Sequence, residues 1–268
     1  MGRWLAEARV LLDRLEETQM EAIDAAAQIC ADAIGAGGLV HLFGAGHSRI
    51  PTEEMFPRYG SYPGFHPMVE LSMTFHTQIV GSNGQRQAMF IERAAGLAEV
   101  ILSNYHFGTH DALIVFSVSG RSAVPIEMAI GARRRGLPVV AVTSRDESLA
   151  AVSLHQTGTR LLDHADVVID LGTPPGDALV GLDGLDEKVG PGSTFLYVAV
   201  ANEIKVQTAA RLVERNAMPA VITSASQVGE ERSRDLFDAA YADHATRLAA
   251  VIDPRRGAGR PGTPDEKG

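Results

Sequence analysis

Apolar residues recur at helical spacing over the first stretch of the chain: Leu5, Ala8, Leu11, Leu12 and Leu15, then Ile23, Ala26, Ala27 and Cys30. The spacing predicts one long helix or two shorter ones over residues 4–34, closed by Gly35 and the Gly37-Gly38 pair. Such a helix ahead of a first strand packs either on a partner subunit or on its own core. The pattern then changes. Short apolar runs predict strands at 39–43, 67–71, 112–117, 138–143 and 167–171, most of them nearly continuous in Val, Ile and Leu, as strands buried on both faces are.

Between the third and fourth runs, residues 124–135 carry a helical pattern closed by Gly136 just before Pro138. Strand, helix and strand at this spacing imply right-handed crossovers and a parallel sheet, so the fold class is α/β, doubly wound. A later helix runs from the Ser193-Thr194 pair to Arg211, and a final one spans 232–251. Residues 221–222 are either a short extra strand or a buried connection. Residues 254–268 hold three prolines, four glycines and no large apolar side chain, which predicts a disordered tail. No repeat or shift of composition marks a second domain, so residues 1–253 read as one unit.

Composition narrows the partners. With 24 basic against 33 acidic residues the 268-residue chain carries a formal charge of −9, which argues against gripping nucleic acid over a broad surface. A small anion is still admissible, because a pocket of backbone N–H groups needs no net positive charge. The single cysteine, Cys30, rules out an intrachain disulfide and a cysteine-rich metal site, and its helical context reads as a buried thiol. The first fifteen residues mix charges into their apolar positions, unlike a signal peptide, and no apolar run is long enough for a bilayer. The expectation is a cytoplasmic protein with no membrane partner.

Ligands of parallel sheets sit at the carboxyl ends of strands. Three polar clusters fall there: Gly44-Ala45-Gly46-His47-Ser48, Ser117-Val118-Ser119-Gly120-Arg121-Ser122, and Thr143-Ser144. In the second cluster a glycine permits a tight turn, a helix N-terminus presents free N–H groups, and serine hydroxyls add donors without bulk. That combination suits a phosphate without requiring a lysine. Capping and turn formation explain one serine of the three. The first cluster lacks the third glycine of a dinucleotide fingerprint, Arg49 standing in its place, and neither a nucleophile elbow nor a P-loop is spelled anywhere. No cofactor is expected.

The pair Gly-x-Gly-x-Ser and Ser-x-Ser-Gly-x-Ser resembles the SIS (sugar isomerase) domain over residues 4–215, and an uncharacterised bacterial branch of that family is similar along 41–48, 119–129, 163–170 and 188–194. The resemblance implies a flavodoxin-like five-stranded sheet that binds a phosphorylated sugar. By it, Ser48, Ser117, Ser119 and Ser122 hold the phosphate, with Gly46 and Gly120 allowing close backbone approach. Thr143, Ser144, Ser193 and Thr194 line the pocket. It further implies a homodimer or homotetramer with sites at subunit boundaries.

Moving a proton between sugar carbons requires a base near the substrate. Glu54, in a segment similar to one in N-acetylmuramic acid 6-phosphate etherases, is the first candidate, and Glu92 is placed similarly to a second etherase glutamate. His47 lies between the phosphate motifs. Heptose phosphate isomerases of the superfamily carry a histidine where this chain has Ala201, which leaves Asn202 and Glu203 as substitutes. His66, His76 and His106 show no metal spacing, so no metal is expected. The expected function is aldose–ketose sugar phosphate isomerisation. The alternatives are etherase-type elimination and a non-catalytic phosphosugar sensor.

Overall fold

The computed structural model describes residues 1–74 and 84–253; the terminal segment 254–268 and His76 lie outside them. Helix α1 (Arg3–Gly35) is followed by β1 (Val40–Gly44), a 3-10 turn (Gly46–Arg49) and α2 (Ile50–Met55). Next come β2 (Phe65–Met68), α3 (Leu71–Thr74), α4 (Gly84–Ile91), α5 (Leu97–Leu102), β3 (Ala112–Phe116) and α6 (Ala123–Arg134). Then β4 (Val139–Thr143), α7 (Arg145–Ala150), β5 (Val167–Asp170), β6 (Ala178–Val180) and β7 (Val189–Pro191) lead to α8 (Ser193–Glu214), α9 (Ala225–Val228) and α10 (Glu230–Ile252).

Five strands form one parallel sheet in the order β2-β1-β3-β4-β5, the flavodoxin-like order of a doubly wound fold. Alternate residues of each strand face opposite layers. Leu42, Ile114, Phe116, Val140 and Val142 join the core beneath α1 and α8, whereas Phe43, Leu113, Val115, Val139 and Ala141 join the core beneath α5 and α6. Burial on both faces explains why these runs read as continuously apolar. The chain leaves β1 toward β2 on one side and returns at β3 on the other. That switch point opens a crevice at the carboxyl ends of β1 and β3.

The N-terminal periodicity resolves into a single helix of 33 residues, about 50 Å long at 1.5 Å per residue. It lies on its own core, packed along α8 and against β5. Small residues at Ala26, Ala27, Cys30 and Ala31, all fully buried, allow that approach. Burial pushes the Cys30 thiol up to about 12.

One local reading is corrected, one pair of strands is added, and one of two alternatives is selected. The second strand lies at Phe65–Met68 rather than 67–71, because Phe65 is wholly buried in the core while Leu71 is exposed and opens α3. The antiparallel pair β6–β7 was not anticipated, its three-residue strands being too short to show a period. Residues 221–222 are a buried connection and no strand: Ile222 is buried and exchanges backbone bonds with Gly60 and Ser61.

A polar chain crosses the edge of this sheet. His41 of β1 and His66 of β2 are partners in register, and their Nδ1 atoms lie 2.9 Å apart, so one shared proton joins them. His41 Nε2 is 3.2 Å from Asp111 Oδ2, and Asp111 also accepts from the N–H groups of Leu39 (2.8 Å) and Gly108 (2.7 Å).

Candidate functional site

A cavity of about 460 Å³ opens at the carboxyl ends of the central strands. Segments following β1, β3, β4 and β5 meet there, contributing Ser48, Ser117, Ser119, Glu147 and Asp177, while the end of α4 brings Met89 and Glu92 just beyond it. The volume lies in the range of small-ligand sites.

The loop after β3 is held rigidly. Val118 O accepts from Thr143 Oγ1 and from the Ser144 N–H, both at 2.9 Å, and Gly120 O accepts from the Leu161 N–H at 2.8 Å. Gly120 adopts φ +53° with Thr143 Oγ1 3.0 Å from where a Cβ would stand, so both the conformation and the packing require glycine. Its N–H donates to Ser117 Oγ at 3.2 Å. The N–H groups of Ser119, Arg121, Ser122 and Ala123 have no acceptor among the described residues. The result is a preformed nest of donors at the start of α6, an anion-binding geometry.

The three serines of this loop have three different tasks. Ser117 braces the turn, and Ser119 is part of the cavity lining. Ser122 is almost fully buried and donates to Glu92 Oε1 at 2.9 Å rather than capping α6. The backbone carbonyl of Glu92 in turn accepts from the Val124 N–H (2.9 Å), which docks its segment on the same helix. Burial raises the Glu92 pKa, an effect that the Ser122 hydrogen bond and the charges of Arg93 and Arg121 only partly offset. A carboxyl held above its usual range beside a donor nest is placed to exchange a proton with a bound ligand.

On the β1 side, Gly44 is forced by contact: a Cβ there would stand 2.1 Å from Ser48 O. The tight turn brings Ser48 Oγ to 3.3 Å from the hydroxyl of Tyr197, a buried residue of α8. Gly46, at φ +56°, opens the 3-10 turn, and His47 on it is exposed; neither belongs to the cavity lining.

The segment 172–177 closes the site from the β5 side. Asp177 takes a left-handed φ of +62°, and its carboxylate accepts from the N–H groups of Gly192 (3.2 Å) and Ser193 (2.8 Å) at the start of α8 and from Ser193 Oγ (2.5 Å). Gly176 N donates to Glu147 Oε2 at 2.6 Å, Ser144 Oγ donates to Thr173 O at 2.7 Å, and Arg14 of α1 donates to Gly172 O at 3.1 Å.

The structure therefore gathers Ser48, Ser117, Ser119 and Glu92 around one cavity, with Gly120 and Ser122 directly behind. Thr143 and Ser144 are fully buried braces of the loop, and Ser193 is bound to Asp177, with Thr194 half-buried beside it. Glu54, Asn202 and Glu203 stand outside the lining. Glu54 Oε1 accepts from Asn202 at 3.2 Å, its Oε2 accepts from Arg58 at 2.8 Å, and Lys205 Nζ lies 3.8 Å from Oε1. Lys205 is itself buried, which lowers its pKa against the opposing pull of Glu54. Glu203 binds Gln207 on the α1 side of α8. Sequence reasoning missed Asp177, Glu147, Tyr197 and Lys205. The Thr173-Pro174-Pro175-Gly176 turn after the last strand was the available signal for the first, being a fourth strand-end loop.

Sheet order and serine loop together define a SIS domain. The family model described as SIS domain matches residues 3–144, and the chain belongs to that family. Within it, the chain belongs with the UPF0309 proteins. It is 33% identical to one from Streptomyces coelicolor over 230 residues, 85% of this chain and 89% of that protein. It is 31% identical to one from Listeria innocua over 229 residues, 85% and 90% of the two chains. Similar solved structures include a phosphoheptose isomerase from Neisseria gonorrhoeae (16% identity, 77% of this chain and 94% of that one, TM-score 0.48). Another is a phosphoheptose isomerase from Francisella tularensis (13% identity, 76% and 94%, TM-score 0.49). Among the described residues no helix is long and apolar enough to cross a membrane, and no group of three or more His, Cys, Asp or Glu is arranged for a metal.

Proposed function

We infer that the cavity binds a phosphosugar with its phosphate in the 117–123 nest, and that the protein interconverts an aldose and a ketose phosphate with Glu92 as the acid–base group. The observation that carries this reading is the set of N–H groups at Ser119, Arg121, Ser122 and Ala123 that have no acceptor among the described residues, beside a half-buried carboxyl of raised pKa. In this reading Ser48 and Ser119 add hydroxyl donors to the phosphate. Isomerisation begins by removing a proton from the carbon next to a carbonyl, and returns it to the neighbouring carbon through an enediol. A single carboxyl serves both transfers. Ser122 steadies Glu92 in its ionised form before the first transfer and again after the second. Glu54 is the weaker candidate, because its oxygens already engage Asn202 and Arg58. Assembly as a homodimer or homotetramer in the cytoplasm, with sites near subunit boundaries, belongs to the same reading.

The test combines a thermal-shift panel of phosphorylated pentoses, hexoses and heptoses with an assay for aldose–ketose exchange. A ligand at 100 times its Kd adds about 2.7 kcal/mol, a shift of about 5–10 °C in a chain of this size. Glu92→Gln is expected to lower turnover by at least about a hundredfold while the thermal shift persists. Stabilisation of the wild type without exchange would refute the isomerase step and favour a sensor. No stabilisation by any phosphosugar would refute the ligand as well.

A further inference from the structure

The cavity has an uneven distribution of charge. Glu92, Glu147 and Asp177 all line it, and its lining contains no lysine, arginine or histidine among the described residues. Arg93 and Arg121 act on Glu92 from outside the lining, and Arg121 is tethered to Val152 O at 3.4 Å.

The carboxylates are fixed rather than free to swing away. Glu147 is held by the Gly176 N–H, Asp177 by Gly192 and Ser193, and Glu92 by Ser122. Each bond occupies only part of an oxygen's accepting capacity, since a carboxylate offers about four lone-pair sites. Glu147 and Asp177 come from the segments after β4 and β5, whereas the donor nest follows β3. One phosphate is met by that nest. Among the described residues a second anionic group would find no comparable donor set and would face fixed negative charge at short range. A hydroxyl or an ammonium would instead donate to those same oxygens.

Resting on the phosphosugar reading above, we propose that this site is selective for monophosphorylated sugars whose remaining groups are neutral or cationic, and that Glu147 and Asp177 are the residues that reject a second anion. Sugar acids and bisphosphates are the excluded class. That class includes the lactyl-bearing substrate of an etherase.

Isothermal titration with four probes tests it: fructose 6-phosphate and glucosamine 6-phosphate against 6-phosphogluconate and fructose 1,6-bisphosphate, for the wild type, Glu147→Gln and Asp177→Asn. Glu147→Gln keeps an oxygen for the Gly176 N–H, and Asp177→Asn keeps one for the N–H groups of Gly192 and Ser193, while the Ser193 hydroxyl turns to accept from the new amide. The wild type is expected to bind the two doubly anionic sugars at least about tenfold more weakly than the other two, and each variant to narrow that ratio to about threefold or less. Equal affinities in the wild type, or a ratio unchanged in both variants, would overturn the selectivity. Inorganic phosphate titrated separately reports the nest alone. If phosphate and all four sugars bind but without discrimination, the ligand reading stands and this one falls. If nothing binds, both fall.

Discussion

Gly44 and Gly46 stand two residues apart in the same loop, and different physics holds each. At Gly44 an added Cβ would meet the Ser48 carbonyl at 2.1 Å, a backbone collision that no rotamer change relieves. At Gly46 the φ of +56° is the whole constraint, as nothing lies within 4 Å. Gly44→Ala is therefore expected to cost more than about 3 kcal/mol and to displace Ser48, whereas Gly46→Ala costs about 1–2 kcal/mol, the left-handed penalty alone. Urea unfolding of both variants checks the order; equal costs would contradict it. The motif was legible as a pattern, yet nothing in the letters separates a glycine needed for space from one needed for its dihedral. The same blindness hid Asp177, a non-glycine residue at positive φ inside what reads as a plain proline–glycine turn. Ser122 shows the converse, since its place in the motif was visible but its partner, Glu92, sits thirty positions away and only the fold brings them together.

At the scale of elements, the strands with continuous apolar runs were legible because both their faces are buried, and α1 because its stripe keeps helical spacing on either side of residues 16–22, although that gap left one helix or two open. The short hairpin β6–β7 and the start of β2 were not, since four residues or fewer do not establish a period. The β1–β2 pairing has a titratable seam. Burial pushes the His66 imidazole down to about 3 from 6.5, with His41 and His244 adding to the effect and Asp111 opposing it. A lowered folded pKa means that the native state stays neutral while the unfolded chain takes up a proton. Stability is thus fully present above about pH 6.5 and declines as the pH falls toward 3, by about 2 kcal/mol at pH 5 from this group. His244 and His164, also lowered by burial, act in the same direction. Unfolding free energies at pH 7.5, 6 and 5 should show the decline, and His66→Gln should make it shallower; a slope identical in the variant would exclude His66 as its source.

For the whole molecule, the lone cysteine is a built-in reporter. Cys30 lies between α1 and the sheet, fully buried with its thiol raised to about 12, so it is inert while α1 stays docked. An exposed-thiol reagent at pH 8 should label it only at the rate of global unfolding, measured against added urea. Rapid labelling of the native chain would mean that α1 lifts off independently. That helix is also joined to the cavity by another route. The segment 172–177 is gripped by Arg14 at one end and, at the other, places Asp177 in the cavity lining. Between them Ser144 and Glu147 pin its middle. A few peptide units thus act as a strut between the pocket wall and the outermost helix. A movement of Asp177 would therefore pull first on the Glu147 and Ser144 bonds and, once those yielded, on the Arg14 anchor of the helix.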